Sequence, residues 1–396
     1  MGTLDEPAPD DIRVAAERVL AASFGDVRLD AGVVLDSSDR SAVVRFQKLH
    51  GGELAPSSVI VKRAIDPVAR PSDEEEPNSV ARLFNEWASL QFLGEVIPDN
   101  PVAPRFLGGD KESGILVMED VGSEIGLVES LLGDDPGVAR AALIAYATTV
   151  GRMHGQTVGR GASFHQIAAQ FEPPSTGVDV DWLGPIAHSM LDALNIIPPA
   201  GLDDDLETLA ASIAAPGPFA VFIHADPCPD NWARSGSGDC LFDFEFATMG
   251  HALLDGVYGR VPFPTCWCVG RLPEDVTLAM ERAYRMELSQ GCMAARDHAL
   301  YSRGVAEACA YWLVYLCRYS PMLPLLAEDF EWGTATVRQR LMARLDVVIQ
   351  VTRDADHLTA IGRAAEDLVR ELGRRWDADA MNLPLYPAFR SREQQG

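Results

Sequence analysis

The sequence predicts an α+β chain in two lobes. An antiparallel sheet with a helix occupies residues 1–118, a hinge residues 119–123, and a largely helical lobe residues 124–396. Three observations predict this. Short β-branched runs separated by turns crowd the first third of the chain. Apolar residues recur at helical spacing through most of the remainder. The 396 residues are 47% hydrophobic and 23% charged, a globular balance that suits one enzyme with two lobes and excludes general disorder.

Ile12, Ala15, Val19 and Leu20 mark a helix over 11–24. Val27–Leu35, Ala42–Phe46 and Val59–Ala64 read as a three-stranded antiparallel meander. Asp36-Ser-Ser-Asp-Arg-Ser41 fills its first gap and Gly51-Gly52 its second. Residues 66–78, with three prolines and Asp73-Glu-Glu-Glu76, read as a solvated loop. A helix follows from Ser79, whose hydroxyl can cap it, to Leu93; its apolar face is Leu83, Trp87, Leu90 and Phe92. A strand pair, Arg105–Leu107 and Gly114–Met118, leads into Glu119-Asp-Val-Gly122. Val138–His154 is a helix, and residues 161–218 hold helical pieces broken at Pro173-Pro174 and Pro198-Pro199. Phe219–Ile223 is a buried strand, and helices return over 272–376.

Lys and Arg number 33 against 58 Asp and Glu, a formal charge of −25. That argues against nucleic-acid backbone or anionic lipid as partner, since both need basic patches. Apolar stretches such as Tyr311–Cys317 are too short to span a membrane, and the acidic start has no apolar signal core, so a cytoplasmic protein is expected. Seven scattered cysteines do not make a disulfide framework. Cys266-Trp-Cys268 has no second Cys/His pair beside it, so two reduced thiols are expected there rather than a zinc site.

The chemistry concentrates after Phe219–Ile223. Ser235-Gly-Ser-Gly-Asp239 is a turn between apolar runs, which makes a hairpin. With Ser237 at its centre, Asn231 faces Asp243 and both point to one side. An amide oxygen and a carboxylate then converge, a hard site suited to Mg²⁺. Asp226 lies just before the hairpin. An Asp, four residues, an Asn and then a strand-borne Asp is the arrangement that phosphoryl transfer uses: a carboxylate for the hydroxyl, and oxygens for the metal on the triphosphate.

His224-Ala-Asp226…Asn231, followed by Phe242-Asp243-Phe244-Glu245, resembles the aminoglycoside phosphotransferase and choline kinase family. That family is the small-molecule branch of the protein-kinase-like fold. The resemblance implies that Asp226 is catalytic, that Asn231 and Asp243 hold magnesium, and that His224 steadies the loop. Asp255, in Gly250…Leu254-Asp255, matches the carboxylate that buttresses it. Lys62 in Val59-Ile-Val-Lys62 matches the phosphate-binding lysine, and Glu86 on the next helix matches its partner. Leu116-Val-Met-Glu119 leads to the hinge, where Glu119 and Val121 would flank the adenine. Gly151-Arg-Met-His154 resembles the helix that ends in Leu-His. The likeness covers roughly residues 25–260. Ala225 replaces the usual glycine. The loop over 36–41 has no glycine; serine-lined loops occur in this branch of the fold, so the resemblance implies that Ser37, Ser38 and Ser41 contact the β-phosphate. The C-terminal helices show no match, and the acceptor site is not inherited.

The function expected is transfer of the γ-phosphoryl group of ATP, or GTP, to a hydroxyl, with Mg²⁺. The leading acceptor is a small molecule such as an aminoglycoside, amino alcohol or sugar, and the charge of −25 suits a cationic one. Two alternatives stand beside it: a peptide Ser/Thr kinase in natural-product peptide maturation, and a nucleotide-binding protein without turnover. Oligomeric state is open. Lys62 and Glu86 are expected to be an exposed pair of little weight for stability. Glu245 is open between metal and hairpin end. Arg303, Glu307, Tyr311, Tyr315 and Tyr319 share one helix face, and packing is favoured over a pocket wall.

Overall fold

A computed structural model describes residues 10–38, 40–65, 79–122, 124–171, 179–236 and 238–390. The chain divides into two compact units. The acidic loop over 66–78 and Pro173-Pro174 lie outside the described residues.

Unit 1 comprises residues 1–124, 162–174 and 234–247. Helix α1 (Asp10–Phe24) precedes strands β1 (Arg28–Leu29), β2 (Val33–Ser37), β3 (Ser41–His50) and β4 (Ser58–Ala64). Helix α2 (Ser79–Val96) follows, then β5 (Phe106–Asp110) and β6 (Ile115–Glu119). The sheet is antiparallel in the order β1-β3-β4-β6-β5, with β2 also paired to β3. The single strand expected over 27–35 is broken in two. Asp30 Oδ1 accepts from the amides of Gly32 and Gln47, at 3.0 and 2.9 Å, and closes a local turn. Gly32 has φ +70, and a Cβ there would lie 2.5 Å from the Phe46 ring, so glycine is required.

Period-2 alternation then decides the two faces. Val44, Phe46, Val59, Val61, Ile115 and Val117 are buried with Ile12, Ala16 and Leu20 of α1 in one core. Each such side chain contributes about 1.5–3 kcal/mol when fully buried. The other face carries the cross-strand rows Val43–Lys62–Leu116 and Arg45–Ile60–Met118. The hydroxyl of Ser79 donates to the Ile65 carbonyl at 2.6 Å, tying the start of α2 to the end of β4. Residues 162–174 join this unit through aromatic contacts: Phe164 with Phe92, and Phe171 with Phe84 and Trp87. Residues 234–247 join it through backbone bonds, Leu241 N to Val102 O at 2.7 Å and Glu124 N to Arg234 O at 2.9 Å.

Unit 2 comprises residues 125–161, 175–233 and 248–396 and is mostly helical. The helix Pro136–Thr157 starts two residues before the expected Val138. Asp135 caps it by accepting from Gly137 N and Val138 N, and Pro136 suits the first turn. This helix packs closely on Glu274–Gly291; a Cβ on Gly155 would lie 2.6 Å from the Glu287 carbonyl oxygen. The strand Ala220–Ile223 pairs antiparallel with Thr248–His251. The helices His298–Tyr319, Val337–Ala355 and Thr359–Leu372 complete the unit. Two arginines of Val337–Ala355 are buried as backbone donors. Arg344 donates to the carbonyls of Trp312 (2.9 Å) and Pro264 (2.6 Å), and Arg340 to that of Cys266 (2.7 Å). Among the described residues no helix is long and apolar enough to cross a membrane.

Candidate active site

The second sheet face of unit 1 opens into a cleft of about 610 Å³. That lies within the roughly 300–1,000 Å³ of small-molecule sites. Leu35, Val43, Ile60 and Met118 give it an apolar wall, and Lys62 projects from β4 into it. Lys62 Nζ donates to Glu86 Oε2 at 2.7 Å, contacts Asp243 Oδ1, and lies 3.6 Å from Glu245 Oε2. Lys62 is 8% exposed and Glu86 1%, so the pair is buried, not the exposed couple that a strand lysine suggests. Burial works to lower the lysine's pKa, but Glu86, Asp243 and Glu245 outweigh it and hold the ammonium above its ordinary value. Burial pushes Glu86 up to about 7; Lys62 pulls against it, and the carboxylates of Asp243 and Glu245 add to the rise.

Arg82 stands one turn before Glu86 on α2 and donates to Glu245 Oε1 at 3.0 Å. Its guanidinium also lies 4.6 Å from the centre of the Phe246 ring. Asn85 Nδ2 donates to the carbonyls of Glu245 (3.1 Å) and Ala247 (2.9 Å) and fixes the turn after the hairpin. Glu245 is therefore anchored by a cation. The spacing of Arg82 and Glu86, four apart on one helix, was the available signal for this second cation.

The hairpin forms, with strands Trp232–Ser235 and Gly238–Leu241 and an Arg234–Asp239 pair at 2.7 Å. The register argument built on it fails. Asn231 ends a 3-10 turn, Pro229–Asn231, and Asp243 has left-handed backbone, φ +62. Neither lies in a strand, so cross-strand pairing is not what orients them. A turn has formed at each strand end, where the motif's Pro229 and the Asn85 bonds favour it.

Ser38 and Ser41 lie on the cleft wall beside Arg40 and Arg45. Ser38 Oγ accepts from the amides of Arg40 and Ser41, both at 3.1 Å, which closes the loop without glycine. Ser37, exposed at the end of β2, is not among the wall residues. Glu119 and Val121 are on the wall, and Glu119 N donates to Arg105 O at 2.9 Å. Arg45 forms a two-pronged pair with Asp120, at 2.7 and 3.1 Å. Alternation along β3 carries the signal for Arg45; nothing local marks Asp120 as its partner.

In unit 2 the loop after Ala220–Ile223 is held by Asp255, which is 2% exposed. Its Oδ2 accepts from His224 N at 2.7 Å and its Oδ1 from Ala225 N at 3.2 Å. His154 Nε2 lies 3.2 Å from Oδ2, and His154 Nδ1 lies 2.9 Å from the Tyr284 hydroxyl. His224 is fully buried. Ala225 has φ +66, left-handed backbone that favours glycine. Tyr146 donates to Pro227 O at 2.6 Å. Asp226 Oδ1 accepts from Thr265 Oγ1 at 2.5 Å and lies 3.3 Å from Cys228 Sγ. Asn231 Nδ2 donates to Asp226 O at 2.9 Å.

Amide and carboxylate oxygens are the donor types that a hard divalent cation takes. In unit 2 the nitrogen of Asn231 is engaged by Asp226 O, which leaves its amide oxygen; in unit 1 the Asp243 side chain is 42% exposed at the cleft wall. Among the described residues no group of three or more His, Cys, Asp or Glu could hold a metal by itself. Magnesium keeps several waters and is commonly completed by substrate phosphates.

Cys228 and Cys266 form a disulfide, which corrects the expectation of reduced thiols at Cys266-Trp-Cys268. The two are 38 residues apart, and only the fold brings them to a Cα separation of 5.6 Å. Cys268 remains a buried free thiol. On the helix His298–Tyr319, Tyr311 is buried and Tyr319 exposed, and Trp182 packs edge-on against Tyr311 and Tyr315. Glu307 of the same face meets His357 Nε2 at 2.8 Å.

A model described as the phosphotransferase enzyme family matches residues 30–265, more than half of the chain. No curated protein is a significant match. Among solved structures the chain is similar to a choline/ethanolamine kinase family protein from Mesorhizobium loti, at 16% identity, covering 88% of this chain and 98% of that one, with a TM-score of 0.40. It is similar to a choline kinase from Streptococcus pneumoniae, at 13% identity, covering 87% and 100%, with a TM-score of 0.40. A macrolide 2′-phosphotransferase from Brachybacterium faecium is similar at 13% identity, covering 79% and 96%, with a TM-score of 0.39.

Proposed function

The chain belongs to the phosphotransferase enzyme family, and from that premise we propose that it moves the γ-phosphoryl group of ATP, or of GTP, to a hydroxyl of a small molecule. The observation that carries the reading is the buried Lys62–Glu86 pair in contact with Asp243 on the cleft wall. A lysine held by one carboxylate and touching another is a fixed positive charge, already oriented for phosphate. Glu119 and Val121 would flank the base, and Ser38 and Ser41 the phosphates. Asp226 would orient the acceptor hydroxyl and take its proton. His224 and Asp255 would keep that carboxylate in place through the loop backbone. Asn231 and Asp243 would be the protein oxygen donors to Mg²⁺. Magnesium, when bound, neutralises charge on the nucleotide phosphates. In this reading residues 1–118 bind nucleotide, 119–123 form the hinge and 124–396 carry the catalytic loop, 224–245, and the acceptor site.

The acceptor class follows from charge more than from shape. A formal charge of −25 supports a cationic acceptor, an aminoglycoside or amino alcohol before a neutral sugar. The test is a panel of aminoglycosides, amino alcohols, sugars and a Ser/Thr-rich peptide with Mg-ATP, read by mass spectrometry for an added phosphate. Phosphate on a small molecule is the expected result; phosphate on the peptide alone would replace the reading with a peptide kinase. Asp226→Asn should lower transfer by about 10²–10⁴-fold, with Mg-ATP binding by calorimetry nearly unchanged. Transfer by that variant above about a tenth of the unmodified rate, short of the smallest loss expected for a base, would remove Asp226 from the role.

A further inference from the structure

The disulfide sits at the one carboxylate that the proposed chemistry needs most. Cys228 is two residues after Asp226, and its sulfur lies 3.3 Å from Asp226 Oδ1. Cys266 directly follows Thr265, whose hydroxyl donates to that same Oδ1 at 2.5 Å. Thr265 Oγ1 is also 3.1 Å from the Tyr258 hydroxyl, and Tyr258 reaches Ala225 O at 3.3 Å. The bridge therefore joins the two segments that grip Asp226, one from each side.

The second segment is a firm post. Arg344 donates to Pro264 O at 2.6 Å and Arg340 to Cys266 O at 2.7 Å, and both arginines are 1% exposed. Phe263 and Cys268 of the same segment are fully buried. A covalent tie from this post to Cys228 transmits its rigidity to the loop that carries Asp226. Without the tie, the loop keeps its Asp255 bonds on the near side of Asp226, at residues 224 and 225. The far side loses its link to Cys266.

We propose that Cys228 and Cys266 are a thiol–disulfide switch on the catalytic loop, in which the bridge holds Thr265 against Asp226 and reduction releases it and slows phosphoryl transfer. The inference rests on the reading of Asp226 as the base, and it makes Thr265 a positioning residue. Closing the switch forms one S–S bond and takes two protons and two electrons from the two thiols. A small-molecule disulfide accepts them, and its own S–S bond breaks to give two thiols; a dithiol reductant runs the exchange backwards. In the reduced form Cys228 also gains an S–H, which competes with Thr265 as donor to Oδ1. Disulfides persist in oxidising compartments and are opened in reducing ones, so the state of the pair reports the surroundings.

The experiment uses the full chain, equilibrated in oxidised or reduced dithiothreitol. Thiols are counted by alkylation under denaturing conditions and mass spectrometry. Five should react in the oxidised form, the free cysteines, and all seven in the reduced form. Transfer to the acceptor found by the screen should fall about tenfold in kcat on reduction, the loss of roughly one hydrogen bond to a charged group. KM for Mg-ATP should hold. Amide hydrogen exchange over residues 224–231 should quicken. Cys266→Ser should show the reduced-form kcat in both buffers. Thr265→Val should be slow and insensitive to reductant, and Thr265→Ser should restore both rate and response. Seven reactive thiols without reductant would overturn the proposal. So would a bridge that opens and closes with kcat and exchange unchanged. If the exchange difference is present but neither form transfers phosphate to any acceptor, the assignment of Asp226 falls, and the switch falls with it.

Discussion

Lys62→Ala removes the positive centre of a buried cluster, and its cost can be worked from the geometry. Lys62 is 8% exposed and Glu86 1%, with 2.7 Å between charged atoms. Taking away one partner of such a pair leaves the other buried and uncompensated, which costs about 3–5 kcal/mol. The lower end applies, because Asp243 is 42% exposed and can be rehydrated, and because Glu86 can take up a proton. We expect a loss of about 3 kcal/mol. With a urea slope of roughly 1–3 kcal/mol/M, the unfolding midpoint should drop by about 1–3 M. The effect has a sign in pH. The pKa of Glu86 is already raised from 4.5 to about 7, so the folded state holds its proton more tightly than the unfolded chain does. The stability this brings is present at low pH and is lost as pH climbs from 4.5 through 7. Lys62 is what limits that loss, so Lys62→Ala should be more damaging at pH 8 than at pH 5.5. Urea unfolding followed by circular dichroism at both pH values is the assay. The double variant Lys62→Met, Glu86→Gln has no buried charge left in the pair and should unfold within about 1 kcal/mol of the unmodified protein. A single variant as stable as the unmodified protein at pH 8, or a double variant no better than the single, would refute the reasoning.

Two further outcomes follow from particular residues. Ala225→Gly relieves an alanine at φ +66, where an L side chain costs about 1–2 kcal/mol, partly offset by the greater freedom of glycine in the unfolded chain. The net gain should be about 0.5–1 kcal/mol by urea unfolding, and a loss would contradict the strain. His251 is buried, and burial lowers its pKa from 6.5 to about 4. Its contribution is therefore intact above pH 6.5 and lost as pH falls towards 4, about 3 kcal/mol in full. His251→Asn keeps an acceptor for the Leu253 amide and should flatten that acid limb; an unchanged pH profile would show that His251 does not set it.

The parts of this chain legible in its sequence are those whose cause is local. Strand alternation placed Lys62 and Ile60 on the face opposite Val59 and Val61, because period 2 needs no knowledge of what packs above or below. The motif from His224 to Glu245 pointed, by residue types and spacing, to the family to which the chain belongs. Helix starts were readable to within a few residues because caps such as Asp135 act on the next turn only. What the sequence could not decide was distance between segments far apart along the chain. Burial of the Lys62–Glu86 pair depends on where α2 crosses the sheet, so its weight for stability is not legible in the sequence. The turns at Asn231 and Asp243 replaced a strand register that symmetry alone had suggested, since Asn85, from a different helix, holds the second of them. Cysteine spacing is silent on connectivity: Cys228 and Cys266 are 38 residues apart, and the carbonyls of Pro264 and Cys266 are held by two buried arginines from a distant helix. Arg82 against Glu245 and Thr265 against Asp226 have the same origin: these contacts cross 163 and 39 residues of chain, and packing rather than pattern brings them together.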